Sequence, residues 1–372
     1  MSKSGTAAGQ VGIGTAVSFP ARLLIPLCLV LFAGALMAPT AGAWSSSNPT
    51  SGPSNPLAGQ RWFVDWRWGM SQRQYKTYKR HHQRRKAALM YKIARQPQTK
   101  RFGGWVKHPE HDAREYMGQI ERRAPGAMPF IYVYRFPHKG CAAKKRTWRG
   151  KYLAGYDAGG SREATRYRAW IDGLARGIGS HAAAIWLEPD GLGTIECLSA
   201  RGRAIRYSLY RYAADRLGQN PNAAIYLDGG ASDWETWQTQ ASRLRKAGVD
   251  NPRVRGFFLN STHYDWTSKN VRYGDRLATA LGGKHYVVST AVNGRGPYRL
   301  RRAKRYFNEQ RCNPPGRALG PEPTVQTASV WADAYVFIGD PGRSGGKCHG
   351  GPAGGKWFPE YALGLAKRAS WK

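Results

Sequence analysis

Acidic residues are scarce in this chain: 23 Asp and Glu stand against 58 Lys and Arg, a formal net charge of +35 over 372 residues. The imbalance implies attraction to polyanions such as wall polymers, acidic lipid or extracellular nucleic acid, and it carries no information about fold or about a neutral substrate. Cysteine is scarce too. The chain has five, and no Cys-x-x-Cys or His-bearing ligand spacing accompanies them, which sets a zinc site behind disulfides and leaves metal ligands at none. The apolar run at residues 23–32 is too short to cross a membrane as a helix. The glycine-rich stretch at residues 350–355 lacks the lysine-and-hydroxyl pattern of a phosphate-binding loop, since Trp357 follows Lys356, so nucleotide binding is unsupported and no cofactor is expected. No internal repeat is present.

The first 43 residues are read as a secretory signal: Arg22 precedes the apolar run, and Ala41-Gly42-Ala43 has the small-x-small form of a cleavage site. A Ser, Asn, Pro and Gly-rich leader follows at 44–54, and a single domain at 55–372. The expected location is secreted, with no integral membrane segment after cleavage. In that oxidising setting Cys141, Cys197, Cys312 and Cys348 suggest two disulfides, and arithmetic alone leaves three pairings open.

Two stretches carry chemistry. Ala182 to Leu187 is an apolar run that stops at Glu188-Pro189-Asp190-Gly191, and Ala223 to Leu227 is another that stops at Asp228-Gly229-Gly230. Proline and glycine cannot continue a central ladder, so each run reads as a buried strand that delivers a carboxylate to a rim. Asp190 either caps the next helix or acts in chemistry. In an α/β barrel or open sheet the strand carboxyl ends gather on one face, which lets the two aspartates share a cleft although distant in sequence. Paired carboxylates in unequal environments suit glycoside hydrolysis.

Around them the rhythm is strand, helix, strand, helix. Strands are expected at Trp62 to Asp65, Met128 to Phe136, Arg255 to Asn260, His285 to Thr290 and Ala334 to Ile338; helices at His108 to Arg123, Ser161 to Gly179 with Ser161 as cap, Arg203 to Leu217, and Trp234 to Ala247. Residues 101–105 read as a turn. Between Ser71 and Arg101 lie eleven Lys or Arg and no acid, in one basic amphipathic helix that is either an anion-docking face or a solvated outer face.

Several long segments together resemble glycoside hydrolase family 6, the secreted endoglucanases and cellobiohydrolases: YRAWIDGLARGIG at 167–179, LEPDGL at 187–192, YLDGG at 226–230 with Trp234 and Trp237, GFFLN at 256–260, CNPPGRALG at 312–320, GGPAGGKWFPEYALGLA at 350–366, and NPLAG at 55–59. The resemblance implies a distorted seven-stranded parallel (β/α) barrel with its cleft at the strand carboxyl ends. It also implies disulfides Cys141–Cys197 and Cys312–Cys348, and hydrolysis of β-1,4-glucosidic bonds with inversion. By the same resemblance Asp190 matches the general acid, Asp228 a binding-site aspartate, Tyr134 a tyrosine near the distorted sugar, and Trp234 a stacking platform. Trp237, Asn260 and Asn293 join them as expected substrate contacts.

The chain also departs from the family pattern. Gly140 replaces the aspartate that normally precedes the first cysteine by one residue, and Gly345 falls where the aspartate proposed as base stands, with Arg343 at a usual glutamate. Asp340 is the nearest carboxylate. Arg311 replaces the tryptophan before Cys-Asn-Pro-Pro, and Lys139 is near by. Two outcomes are expected of such a cleft: a glycosidase acting on a β-glucan or an anionic relative of it, or a catalytically impaired member that binds polysaccharide or cell-wall material. Attachment to polyanionic surfaces follows from charge, whereas specific nucleic-acid binding does not.

Overall fold

The computed structural model describes residues 55–136, 155–298 and 311–371, with the backbone alone described for 155–161. Seven strands form one parallel sheet whose spatial order is the sequence order: β1 Thr99–Gly103, β2 Phe130–Tyr134, β3 Ala183–Leu187, β4 Ala223–Asp228, β5 Val254–Leu259, β6 His285–Ser289 and β7 Ala332–Val336. Helices α3 Pro109–Arg123, α4 Gly155–Ile178, α5 Ala200–Leu217, α6 Trp237–Ala247 and α7 Thr267–Ala280 fall between successive strands. A helical pair, α1 Met70–Arg80 and α2 Arg84–Ala94, precedes the sheet, and α8 Pro359–Lys367 follows it. Among the described residues β1 and β7 do not pair. The sheet nevertheless curls far enough for the Thr99 hydroxyl to reach the carbonyls of Phe337 (3.0 Å) and Ile338 (2.9 Å), giving an incompletely closed barrel.

Alternation along the strands builds two cores. Ile131, Val133, Ile185, Leu187, Ile225, Leu227, Phe257 and Leu259 face the helices, where they meet Trp170, Leu174, Leu209 and Leu244. Phe130, Tyr132, Trp186, Tyr226, Phe258 and Val287 point the other way and fill the barrel, with Trp186 5.4 Å from Phe130 and 5.3 Å from Tyr226 between ring centroids. The barrel is therefore packed rather than hollow, and only the strand ends are open to a ligand. At its amino end the Asp333 carboxyl is locked by Arg255 (2.8 Å), Tyr226 (2.7 Å) and His285 (3.1 Å). No helix among the described residues is long and apolar enough to cross a membrane.

Four expectations need correction. Trp62 to Asp65 is not a strand: Trp62 makes a single parallel bridge to Met128, its indole N–H donates to the Leu57 carbonyl (3.1 Å), and its ring packs on Phe130. The first strand is instead Thr99–Gly103, which overlaps the segment read as a turn; Lys100 and Arg101 break its apolar pattern. The basic segment is two helices, split at His82, whose φ is 53°. Helix α4 begins at Gly155, so Ser161 lies within it.

Candidate active site

The site begins with how β3 ends. Glu188 and Asp190 both adopt left-handed backbone, at φ 58° and 66°, a conformation that disfavours residues carrying a Cβ and persists only where the surroundings impose it. Here they do. The fully buried Glu188 carboxyl accepts the N–H groups of Arg135 (2.9 and 3.1 Å) and Phe136 (3.2 and 3.1 Å), which ties the end of β2 to the end of β3. Its carbonyl accepts the Tyr210 hydroxyl (2.8 Å) and the Gly191 N–H (3.0 Å). The Asp190 carbonyl in turn accepts both the N–H (3.1 Å) and the hydroxyl (2.6 Å) of Thr194. Asp190 is thus aimed by its backbone and is no helix cap; that role at α5 belongs to Ser199, whose hydroxyl accepts from Gly202 N–H (3.1 Å).

The Asp190 side chain is half-buried, and its Oδ1 accepts the Thr262 hydroxyl at 2.8 Å. Asp228 ends β4 and is 1% exposed; its Oδ2 accepts Leu192 N–H (3.0 Å) and Gly193 N–H (3.5 Å), and Oδ1 accepts Gly230 N–H (3.1 Å). Burial first, and the neighbouring Asp190 charge second, push Asp228 up to about 7 despite those three donors. The two aspartates are therefore close enough to interact through their charges. Tyr134, at the end of β2, is pushed up to about 12 by burial and then by Asp190 and Glu188. Tyr132 lies one step below it, 5.8 Å between rings, with the Arg101 guanidinium over its face at 4.5 Å.

Trp234 is half-buried, in the turn before α6. Its ring stacks on His263 at 4.7 Å and 18° and abuts Gly193, where a Cβ would stand 2.4 Å from the indole. His263, 3% exposed, donates from Nδ1 to Asp233 (2.6 Å) and accepts from Arg311 through Nε2. Burial lowers the Arg311 pKa against the pull of Asp233 and Asp190. One face of the expected platform is accordingly covered by a histidine that arginine and aspartate hold in place.

The remaining expected residues lie apart. Trp237 opens α6, partly buried against the core between sheet and helices. Asn260 and Asn293 are both 1% exposed and brace the loop after β5: Asn260 Nδ2 donates to Ser289 O (3.0 Å), and Asn293 Nδ2 to Asp265 O (3.0 Å) and Thr267 Oγ1 (3.0 Å). Cys312 and Cys348 form a disulfide. Cys141, Gly140 and Lys139, and the Cys197 side chain, lie outside the described residues.

Gly345 sits beside that disulfide, donating its N–H to Asn313 Oδ1 (2.8 Å), and a Cβ there would lie 3.3 Å from the Cys312 Cα. Asp340, 8% exposed, is engaged by Arg343 at 2.7 and 2.5 Å and by Arg101 at 3.6 Å. Both guanidiniums thus occupy the Asp340 carboxylate. Beside it, where β1 meets the chain after β7, lies a cavity of about 300 Å³ lined by Trp68, Lys100, Arg101, Trp105, Asp340 and Arg343, with Trp68 52% and Trp105 60% exposed. The sequence reading missed Arg101, Trp68 and Trp105 because their segments carry no strand or motif signal. Thr262 and His263 were also missed, and only the Asn260 strand ending pointed to their loop. Among the described residues no three His, Cys, Asp or Glu are grouped as metal ligands.

Comparison with known proteins follows the same lines. The profile of a family described as Glycosyl hydrolases family 6 matches residues 57–369. Endoglucanase A of Cellulomonas fimi is 34% identical over 286 residues, which cover 76% of this chain and 57% of that protein; Endoglucanase A of Thermobispora bispora is 33% identical over 251 residues, 66% and 50% respectively. The chain thus spans about half the length of these curated relatives. Among solved structures, the endoglucanase Cel6 from Mycobacterium tuberculosis, in complex with methyl-cellobiosyl-4-deoxy-4-thio-β-D-cellobioside, superposes with a TM-score of 0.72 at 36% identity, over 84% of this chain and 99% of that one.

Proposed function

The chain belongs to the glycosyl hydrolases of family 6, and from that premise we propose that it is a secreted glycosidase that cleaves β-1,4-glucosidic bonds of a cellulose-like β-glucan with inversion. The observation that carries the reading is the Asp190 turn: a carboxyl group at the carboxyl end of a barrel strand, held in left-handed backbone and sharing a cleft with a buried second aspartate. Asp190 protonates the departing glycosidic oxygen. Thr262 orients it by donating to Oδ1, which leaves Oδ2 to carry the proton. Asp228, pushed up to about 7 by burial and then by the Asp190 charge, is the second carboxyl group of the pair. Tyr134 stands with a neutral hydroxyl at the rim, beside the reacting ring.

Inversion also needs a group that takes a proton from the attacking water. Gly345 offers none and Asp340 is held by Arg343 and Arg101, which favours slow turnover and supports the second reading, a catalytically impaired member that binds polysaccharide through the old cleft. A β-glucan bearing acidic groups would meet Arg311, Arg101 and Arg343 by exchanging with their present partners, His263 and Asp340. The signal at residues 1–43, the domain at 55–372, and the Cys312–Cys348 bridge fit export to an oxidising compartment.

The test is reducing-sugar release from amorphous cellulose, mixed-linkage β-glucan and acidic bacterial polysaccharides, with Asp190→Asn as control. Release abolished by the substitution supports the glycosidase. Equal release from both proteins refutes it, and tight glycan retention without product selects the binding protein.

A further inference from the structure

The α1–α2 pair breaks several electrostatic rules of helix building. Its inner side is accounted for: Tyr78, Ala87, Met90 and Ile93 pack with Tyr361, Ala362, Leu365 and Ala366 of α8. Its outer side is not. Arg73, Lys76, Lys79, Arg80, Arg84, Arg85 and Lys86 are all exposed, and none forms an ion pair among the described residues. No acid occurs between Asp65 and Glu110 in the sequence. Helix α2 opens with Arg84, Arg85 and Lys86 and has no acid in its first turn, so three cations sit at the end of the helix that favours anions. On α1, Arg73, Lys76, Lys79 and Arg80 recur at three- and four-residue spacing, where like charges repel. Among the described residues a carbonyl meets Lys76, a hydroxyl Arg80 and the Tyr78 ring Lys86, but no carboxylate offsets the repulsion, and local rules broken in this way mark places shaped by something outside the fold.

An aromatic cluster stands within the same face. Trp66 is 38% and Tyr91 41% exposed; Trp66 lies 6.0 Å from Tyr75 and 6.3 Å from Tyr91, and Tyr75 lies 5.3 Å from Tyr91. Lys76 Nζ donates to the Trp66 carbonyl at 2.5 Å, fixing the cluster to α1. A shallow cavity of about 770 Å³ runs along α1, lined by Arg73, Tyr75, Lys76, Thr77, Lys79 and Arg80. Flat apolar rings set among cations present what an acidic sugar chain requires: faces for pyranose C–H groups and counter-charges for its carboxylates.

We propose that the outer face of α1–α2, with Trp66, Tyr75 and Tyr91, is a docking surface for a carboxylate-bearing polysaccharide, separate from the Asp190 cleft. The choice of a glycan over a nucleic acid rests on the glycosidase-family reading of the chain; the surface itself does not require that the cleft be active.

The experiment is affinity electrophoresis and solution binding of the full chain with polygalacturonate, neutral hydroxyethylcellulose and duplex DNA, at low and at raised salt. The proposal expects retention by polygalacturonate that weakens steeply with salt. The triple variant Arg84→Glu/Arg85→Glu/Lys86→Glu is expected to lose ten-fold or more in affinity, while Arg84→Lys/Arg85→Lys retains it. Trp66→Ala/Tyr91→Ala is expected to lose three-fold or more on polygalacturonate and little on DNA. All substituted positions are exposed, and unchanged circular dichroism separates lost binding from lost fold. Undiminished retention of the triple variant overturns the proposal, as does equal retention by the neutral polymer, or a preference for DNA that Trp66→Ala/Tyr91→Ala leaves intact. Reducing-sugar release measured on the same samples keeps the two readings apart: a silent cleft with retained polygalacturonate binding defeats only the glycosidase, and normal release with unaltered variant binding defeats only the docking surface.

Discussion

Replacing Asp228 by Asn isolates the electrostatic centre of the cleft. In the folded protein Asp228 is pushed up to about 7 from an ordinary value of 3.8, first by burial and then by Asp190. At 1.36 kcal/mol per pH unit, that difference amounts to about 4 kcal/mol. Its sign follows from proton counting. Between pH 4 and pH 7 the unfolded chain has released this proton while the folded protein keeps it, so the folded state binds more protons and stability falls as pH rises. Above pH 7 both states are ionised and the penalty is fully present; below pH 4 both are protonated and it is absent. Asp228→Asn removes the titration while leaving an acceptor oxygen for the surrounding N–H groups. Guanidinium unfolding at pH 4, 5.5, 7 and 8 is therefore expected to show the native protein losing about 4 kcal/mol relative to the variant across the series. Constant offsets, such as a weakened hydrogen bond to Leu192 or Gly193, cancel in the difference. Asp190→Asn removes the second cause and is expected to move the inflection to lower pH. Parallel curves for native protein and Asp228→Asn would refute the coupling, because Asp228 would then be ionised at all these pH values, held by its three backbone donors.

Other consequences are as direct. Glu188→Ala strips the Arg135 and Phe136 N–H groups of their acceptor inside the protein, and a loss of roughly 2–4 kcal/mol is expected in urea unfolding, with the Asp190 turn released from one of its anchors. Cys312→Ser/Cys348→Ser opens a loop with a sequence separation of 36, for which chain entropy gives about 4 kcal/mol; a thermal shift unaffected by the pair of substitutions counts against the bridge. Asp333→Ala removes the buried carboxylate that pairs with Arg255 at the amino end of the barrel and is expected to cost about 3–5 kcal/mol with no effect on glycan binding by the folded protein. Gly345→Asp returns a carboxylate to the position expected of a base, and a rise of roughly 10²-fold or more in sugar release is expected, with Gly345→Ala as the steric control; the Cys312 backbone, 3.3 Å from the new Cβ, must yield by a few tenths of an ångström.

How much of this was legible depends on which signal each element carries. Buried parallel strands announce themselves as apolar runs, so β2 to β7 were found within a few residues, and the two strand-end aspartates with them. Strand β1 was not, because Lys100 and Arg101 make Thr99–Gly103 look polar; it lies at the sheet edge, where Lys100 is exposed and Arg101 turns toward Tyr132. Helices α7 and α8 were not among the expected elements; within α7, Gly274 is there because the Tyr286 ring passes 2.6 Å from where its Cβ would be. The division of the basic segment at His82 had no glycine or proline to mark it. Trp62 to Asp65 has the aromatic bias of a strand, yet Trp62 serves packing against Phe130 and Phe63 packing against Tyr116, and not a ladder.

The cleft was legible as a set of residue types and illegible as a set of contacts. That Asp190 and Asp228 end neighbouring strands follows from the sequence; that Glu188 is the clamp holding β2 to β3 does not, since a carboxyl beside a proposed acid reads as chemistry before it reads as a hydrogen-bond acceptor for two peptide groups. The same lesson applies to Arg311. Its charge alone suggests a cation offered to substrate, but in the structure the guanidinium is committed to His263, which is committed to Asp233 and stacked on Trp234. An incoming sugar that used the covered face of Trp234 would have to displace the histidine and leave Arg311 and Asp233 to find each other or the ligand. A neutral glucosyl unit offers neither of them a charge; an acidic one offers Arg311 a carboxylate. On the proposed reading of the site, the cost of opening this stack is therefore lower for an anionic glycan than for a neutral one.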